Sequence, residues 1–286
     1  MALTRPLRSV LYIPGSKPRA LEKARGLAVD AIIFDLEDAV SAEEKVNARE
    51  ILAGALAEGG YGARLKIVRI NGLDTAWGRE DAEAAAQMDA DALLLPKVDA
   101  PNDLDALGQI AAAKPLWAMM ETPLGMLNAA AIAAHPRLEG MVMGTNDLAK
   151  EMNIRSRADR LGLQAGLGLC LLAAKAHGRA IIDGVYNAFK DDAGLAAECA
   201  QGRDMGFDGK TLIHPAQIDI TNAAFSPSEA ELDLARRQIE AFDAVVASGQ
   251  GVAVVDGKIV ENLHVETARG LIAQADAIAA MQKELS

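Results

Sequence analysis

The chain is poor in several residue types, and each shortage excludes something. Cysteine is limited to Cys170 and Cys199, 29 positions apart and each set among Leu or Ala. That rules out a disulfide framework and gives no metal-ligand spacing, so both read as buried thiols. Aromatic residues make up only 3%, and the core has to be built from Ala, Leu, Ile and Val. Basic charge is short as well: 40 acidic residues against 29 basic ones leave a net charge of −11, which argues against a nucleic-acid partner. No apolar run reaches membrane-spanning length and no charged-then-apolar leader pattern stands at the start, so no membrane partner is expected and a soluble, cytoplasmic protein is. There is no nucleophile elbow and no HExxH motif. Gly162 to Gly168, inside an apolar helical stretch, lacks the dinucleotide fingerprint.

What remains is a globular composition, 286 residues with 51% hydrophobic and 24% charged. Short apolar runs recur: Ser9–Ile13, Ala31–Phe34, Leu65–Ile70, Leu93–Leu95, Leu116–Met120, Gly140–Met143, Ala180–Ile182 and Thr211–Ile213. Most are too short for helices, and several are apolar at successive positions, as strands buried on both faces should be. Ala-rich amphipathic stretches such as Ala42–Leu56, Ala82–Met88 and Leu104–Ala113 lie between them. Eight strand–helix units within the first 225 residues predict an α/β fold, a closed (β/α)8 TIM barrel, with an open doubly wound sheet as the rival. Residues 226–286 read as an extension that serves as a lid or an oligomer contact. It comprises a helix from Pro227-Ser228-Glu229 to about Val246, the Gly-rich turn Ser248–Gly251, a hairpin turning at Asp256-Gly257, and a helix from about Val265 to Lys283.

In such a barrel the reactive groups sit where strands end. The second run ends Asp35-Leu36-Glu37-Asp38, the third Arg69-Ile70-Asn71-Gly72 and the fourth Pro96-Lys97. The fifth ends Glu121-Thr122-Pro123, the sixth Gly144-Thr145-Asn146-Asp147, the seventh is followed by Asp183-Gly184, and the eighth ends His214-Pro215. Converging carboxylates with no Cys or His among them call for a hard cation. Mg²⁺ fits, with Mn²⁺ as the alternative, because it takes one or two carboxylates plus waters and substrate oxygens. Glu121 and Asp147 are the expected ligands, with Asp35, Glu37 and Asp38 orienting metal-bound water. Arg69 is expected to clamp a substrate carboxylate, the competing reading being an ion pair with Glu37 or Asp38. Lys97 could form a Schiff base, but in a carboxylate-rich site an ion pair is expected. From Arg5 to Arg25 the chain runs against its net charge, with six basic residues and Glu22 as the one acid. A helix starting near Pro18 within that stretch suits phosphates.

These motifs, in order, resemble the citrate lyase β-subunit-like family. Those that carry the likeness are Arg8–Gly15, Asp35–Val40, Lys45 with Ala48-Arg49, Val68–Asn71, Leu95–Lys97, Glu121–Gly125, Gly144–Asp147, Gly206–Lys210, and Ile213–Pro215 with Gln217. The resemblance implies a trimeric or hexameric (β/α)8 barrel that binds Mg²⁺ and acyl-CoA thioesters, with Glu121 and Asp147 as metal ligands and Arg69 and Glu121 at the acid substrate. It also places Lys17, Arg19 and Lys23, with His214 and Pro215, on the CoA side.

Within the family the chain is most similar to members acting on malyl-CoA-type thioesters. In the lyases among them, an Asp after a Gly-Lys-aliphatic-aliphatic stretch in the lid handles the proton at the acyl α-carbon. Here Gly257-Lys258-Ile259-Val260 is followed by Glu261. The extra methylene moves a carboxylate by about an ångström, worth roughly 100-fold in a positioned proton transfer. The expectation is therefore Mg²⁺-dependent hydrolysis of a 3-hydroxyacyl-CoA thioester, with Arg69, Glu37, Asp38 and Glu261 as the catalytic set. The alternatives are C–C cleavage of the same class of substrate and a non-catalytic CoA-binding subunit.

Overall fold

The computed structural model describes residues 5–249 and 251–285. The leader position at residues 1–4, Gln250 in the expected Gly-rich turn, and Ser286 lie outside the described residues. Among the described residues, eight parallel strands close a barrel in sequence order. The strands are β1 (Ser9–Pro14), β2 (Ala31–Asp35), β3 (Leu65–Arg69), β4 (Ala92–Leu95), β5 (Leu116–Met120), β6 (Leu138–Met143), β7 (Ala180–Asp183) and β8 (Gly209–Leu212). β1 closes on β8 with Val10 opposite Thr211. Each expected run is a strand, and the doubly wound alternative is excluded by the closure.

Alternation along each strand sorts the apolar residues into two cores. Val10, Ala31, Ile33, Ile67, Leu94, Trp117, Met119, Val142 and Ile182 fill the lumen. Their neighbours Leu11, Ile32, Phe34, Val68, Leu93, Ala118, Met141 and Ile181 face the helices. With so few aromatics, the largest ring in the lumen is Trp117, and it fits only because residue 140 is glycine. A Cβ there would lie 2.6 Å from the indole. The surrounding helices include Lys45–Glu58, Gly78–Gln87 and Pro101–Ile110, the second starting earlier than its apolar periodicity indicated. Both cysteines are free and buried, and burial pushes the Cys170 thiol up to about 12.

Asp183, at the end of β7, belongs to the scaffold. Arg160 Nη1 lies 2.8 Å from both of its oxygens, and Lys210, opposite it on β8, approaches to 3.4 Å. Lys210 also reaches Glu198 at 2.6 Å. Lys210 and Asp183 are fully buried, so each charge depends on the other to offset its desolvation.

Leu7–Phe225 forms one compact unit and the chain from Ser226 onward another. In the latter, the helix Glu229–Ala247 starts with a capping box in which Ser228 and Glu231 exchange hydrogen bonds. β9 (Ala253–Val255) and β10 (Lys258–Val260) form the hairpin, with Asp256 and Gly257 both at positive φ, 49° and 74°, as a tight two-residue turn requires. Phe242, Ala253, Val255, Val260 and Val265 make a small core of their own. The last helix begins at Asn262, three residues earlier than expected, and runs to Leu285.

Replacing Asp183 with Ala should cost about 3–5 kcal/mol in urea unfolding at neutral pH, because it leaves the buried Arg160 and Lys210 with Glu198 as their shared remaining carboxylate. A loss below 1 kcal/mol would show that the cluster adds nothing to the barrel.

Candidate active site

At the C-terminal mouth of the barrel lies a cavity of about 290 Å³ lined by Tyr12, Asp35, Asp38, Arg69, Met119, Glu121 and Asp147, among others. Strand ends deliver these groups, as a parallel barrel dictates. Asp35 and Arg69 are register partners on β2 and β3. Arg69 spreads its fork over Asp35, with Nε to Oδ1 at 2.8 Å and Nη2 to Oδ2 at 2.6 Å. Its Nη1 is left for Glu37 at 2.7 Å and Asp38 at 3.5 Å. The bidentate face of Arg69 is held by Asp35, so Nη1 is the part of the expected clamp that faces the carboxylates of the mouth. Asp35 is occupied too, since it also accepts from the amides of Glu37 and Ala39 at 2.9 and 3.0 Å. It therefore shapes the Glu37 loop and holds Arg69.

The loop carrying Glu37 is pinned from behind. Lys45 donates to the carbonyls of Leu36 and Glu37 at 3.2 and 2.9 Å, and Asn71 donates to Leu36 O at 2.8 Å and to Asp81 at 2.6 Å. Across the mouth, Glu121 Oε1 accepts from the amide of Lys97 at 2.8 Å. The Lys97 backbone sits at φ 50°, in the left-handed region that non-glycine residues adopt uncommonly. Its ammonium lies 3.5 Å from Asp147 and 3.8 Å from Glu37, the ion pair expected of it. Gly144 is required here, because a Cβ would fall 2.3 Å from the Glu121 Cβ and 2.4 Å from its Oε2.

Charge is out of balance in this mouth. Burial pushes the Glu37 carboxyl up to about 6 against the pull of Arg69. Burial, with the charge of Glu37, pushes Glu121 up to about 7. Burial opposes the Lys97 ammonium, but Glu37, Glu121 and Asp147 outweigh it and raise its pKa. The donor set suits a hard divalent cation: Glu121 and Asp147 offer oxygens on adjacent strand ends, and the Lys97 ammonium already stands where positive charge is wanted. Among the described residues no group of three His, Cys, Asp or Glu forms a metal cage. Mg²⁺, which completes its shell with waters and substrate oxygens, needs none.

The other expected residues lie apart from this cavity. Lys17 pairs with Glu44 at 3.1 Å on the exposed surface. Arg19 and Lys23 line a separate cleft with Arg25, Glu22, Glu50 and Glu58, where acids and bases are equal in number. His214 stacks on Phe189 at 4.7 Å and accepts from the Ala216 amide, while Pro215 opens a short 3-10 turn. Of that strand end, Ile213 lines the cavity. Glu261 belongs to the unit beyond Ser226, exposed, with its amide donating to His264 Nδ1. Tyr12 and Met119, absent from the expected set, are in the cavity.

Residues 8–215 match the HpcH/HpaI aldolase/citrate lyase family. The chain belongs to that family. It is 68% identical to a (3S)-malyl-CoA thioesterase of Cereibacter sphaeroides over 97% of both chains, and 35% identical to the citrate lyase subunit beta of Escherichia coli over 96% of this chain and 94% of that one. Among solved structures it is similar to protein CitE of Mycobacterium tuberculosis in complex with magnesium, acetoacetate and coenzyme A, with a TM-score of 0.80 at 31% identity. That match covers 96% of this chain and all of the other. As a family member the chain is an enzyme of the acyl-CoA-handling branch, and no helix among its described residues is long and apolar enough to cross a membrane.

The raised carboxyl of Glu121 makes stability depend on pH. Unfolded, it loses its proton near 4.5; folded, it keeps it until about 7. Between those values the folded chain holds the extra proton, so this group's contribution falls as pH rises. With chelator present, Glu121→Gln should match wild type near pH 4 and exceed it near pH 8 by up to about 3 kcal/mol in urea unfolding. A constant difference at both pH values would contradict the assignment.

Proposed function

We propose that this enzyme hydrolyses malyl-CoA-type 3-hydroxyacyl-CoA thioesters to the free acid and CoA with Mg²⁺, as a cytoplasmic homotrimer or homohexamer. The observation that carries the reading is the 68% identity, over nearly the full length of both chains, with a (3S)-malyl-CoA thioesterase. The cavity agrees in scale, since about 290 Å³ takes a four-carbon acyl head and leaves the nucleotide outside.

Glu121 and Asp147 would hold the metal, which when bound supplies the positive charge that polarises a substrate carbonyl. The residues of the chain do the rest. Arg69 Nη1 and the Lys97 ammonium attract the free carboxylate of the acyl group. Glu37, with its carboxyl near 6, is poised to take a proton from water at neutral pH, and Asp38 stands beside it on the same arginine. Lys17, Arg19 and Lys23 on one side, and His214 and Pro215 on the other, are the groups proposed to meet CoA. An assembly is supported by the outer face of the hairpin, where the cross-strand partners Val254 and Ile259, with Val252 and Leu263, are exposed. Apolar surface of that kind marks an interaction site. Glu261 follows directly on that hairpin and is proposed to reach the site of a neighbouring subunit.

The second reading, C–C cleavage, is favoured by the aldolase and citrate lyase character of the family, and one assay separates the two. Given malyl-CoA and Mg²⁺, wild type should release CoA and little glyoxylate. Rapid glyoxylate release would return the enzyme to the lyases, and binding without turnover would make it a CoA-binding subunit. Glu121→Ala and Asp147→Ala should each lower kcat by about 10³-fold or more, as loss of several kcal/mol of charge stabilisation implies. Retained Mg²⁺ dependence at wild-type rate in either variant would refute the ligand assignment. Glu261→Asp, which restores the shorter reach, should raise the glyoxylate share of the products. An unchanged product ratio would leave Glu261 without a part in reaction choice.

A further inference from the structure

Tyr12 points from β1 into the top of the lumen, where it packs with the inner core and lines the cavity. Its ring lies under the Arg69 guanidinium, with Cζ 5.0 Å from the ring centroid, close enough for a cation–π contact. Its hydroxyl donates to the sulfur of Met119 at 3.6 Å. A thioether is a weak acceptor, so this O–H is held in place at little cost in strength and can exchange to a better oxygen. The stronger groups around it are already engaged. Asp35 is bound by Arg69 and two amides, Glu121 Oε1 by the Lys97 amide, and Arg69 by three carboxylates.

We propose that the Tyr12 hydroxyl is a catalytic hydrogen-bond donor to the thioester carbonyl oxygen of the substrate, leaving Met119 for that oxygen as it gains charge. The proposal rests on the acyl-CoA reading above. Water adds through its oxygen to the carbonyl carbon while the C=O π pair moves onto oxygen, and its proton passes to a carboxylate of the mouth. Collapse of the adduct re-forms C=O and breaks C–S, and the departing CoA thiolate takes up the proton. The O–H bond of Tyr12 stays intact throughout; it supplies a directed dipole where negative charge develops. The chemistry requires a neutral phenol, and burial, outweighing the opposing pull of Arg69, holds the hydroxyl proton on far above the ordinary tyrosine range. Because the ring and the hydroxyl have separate partners, their roles separate cleanly by mutation.

Tyr12→Phe keeps the ring under Arg69 and removes only the donor. With malyl-CoA and Mg²⁺ its kcat should fall about 100-fold, as loss of one such donor does, with KM within about twofold and the melting temperature unchanged. A second measurement does not depend on turnover. A malyl-CoA analogue with a methylene in place of the thioester sulfur, ¹³C-labelled at the resulting ketone, is bound to the Mg²⁺-loaded protein and read by infrared difference spectroscopy. The ketone band should move to lower frequency in wild type than in Tyr12→Phe. Tyr12→Leu, which also removes the ring, should lose thermal stability in addition. A wild-type kcat in Tyr12→Phe, a defect confined to KM, or identical ketone bands in the two proteins would each overturn the proposal. The hydrolase reading fails by a different result, glyoxylate in place of free acid from wild type, and the infrared comparison still decides the role of Tyr12 in that case.

Discussion

The pair of Asp35 with Arg69 is the interaction on which the mouth of the barrel depends. Both are nearly fully buried, side by side in register on adjacent strands, and joined through two charge-assisted bonds, the strong geometry for these groups. Asp35 spends its remaining capacity on the amides of Glu37 and Ala39, so the turn that presents Glu37 is built around the same carboxylate. Arg69 in turn offers Nη1 to Glu37 and its flat face to Tyr12. A buried arginine tied in this way stays charged, because burial opposes its charge but Asp35, Tyr12 and Glu37 together outweigh it. It becomes a fixed positive post at the floor of an otherwise acidic site.

One such post is too little. Asp35, Glu37, Asp38, Glu121 and Asp147 face Arg69 and Lys97, five carboxylates against two cations. Burial, with the crowding of acids added to it, pushes the Glu37 and Glu121 carboxyls up to about 6 and about 7, so they keep protons that exposed acids would have lost. Such a site gains free energy from any added positive charge, and a divalent ion is the compact way to supply it. Metal and protons then compete for the same oxygens, so affinity for the ion should rise across the range in which Glu37 and Glu121 ionise. The five acids and their shortage of positive partners are one design, a socket left deliberately under-neutralised.

Much of this was legible in the sequence because a parallel barrel writes its site at the strand ends. Glu37, Glu121, Asp147 and Lys97 could each be marked as the polar residue where an apolar run stops, and the structure brings them together in one mouth. What sequence could not provide was cross-strand register. From sequence, Arg69 could be paired with Glu37 or Asp38, and only the register of β2 with β3 selects Asp35 as the holder of its fork. Tyr12 was missed for a simpler reason: it lies inside an apolar run and passes for core. The signal was there in the two-residue alternation, since Val10 and Tyr12 share the lumen face and the last lumen residue of a strand borders the mouth. The basic stretch from Arg5 to Arg25 shows a second limit of counting along the chain. Counted along the chain it is strongly positive, but the helix Lys45–Glu58 folds Glu50 and Glu58 against it, and Glu44 just before that helix takes Lys17.

The choice between breaking C–S and breaking C–C comes down to which proton must move. Hydrolysis draws its proton from water, and a carboxyl near 6 beside a cationic cluster is suited to that at neutral pH. Aldol-type cleavage must also return a proton to the α-carbon of the thioester enolate, a carbon base slow to accept one, which demands an acid placed to within a fraction of an ångström. Within Leu7–Phe225 this chain holds the groups that the first task calls for: carboxylates for water, positive charge for the acid, and a neutral phenol for the carbonyl oxygen. For the second task the proposed group is Glu261, beyond Ser226 and one methylene longer than the aspartate of the lyases the chain resembles. A catalyst complete for water attack and imprecise for α-carbon protonation is biased towards thioester hydrolysis without any change to its barrel.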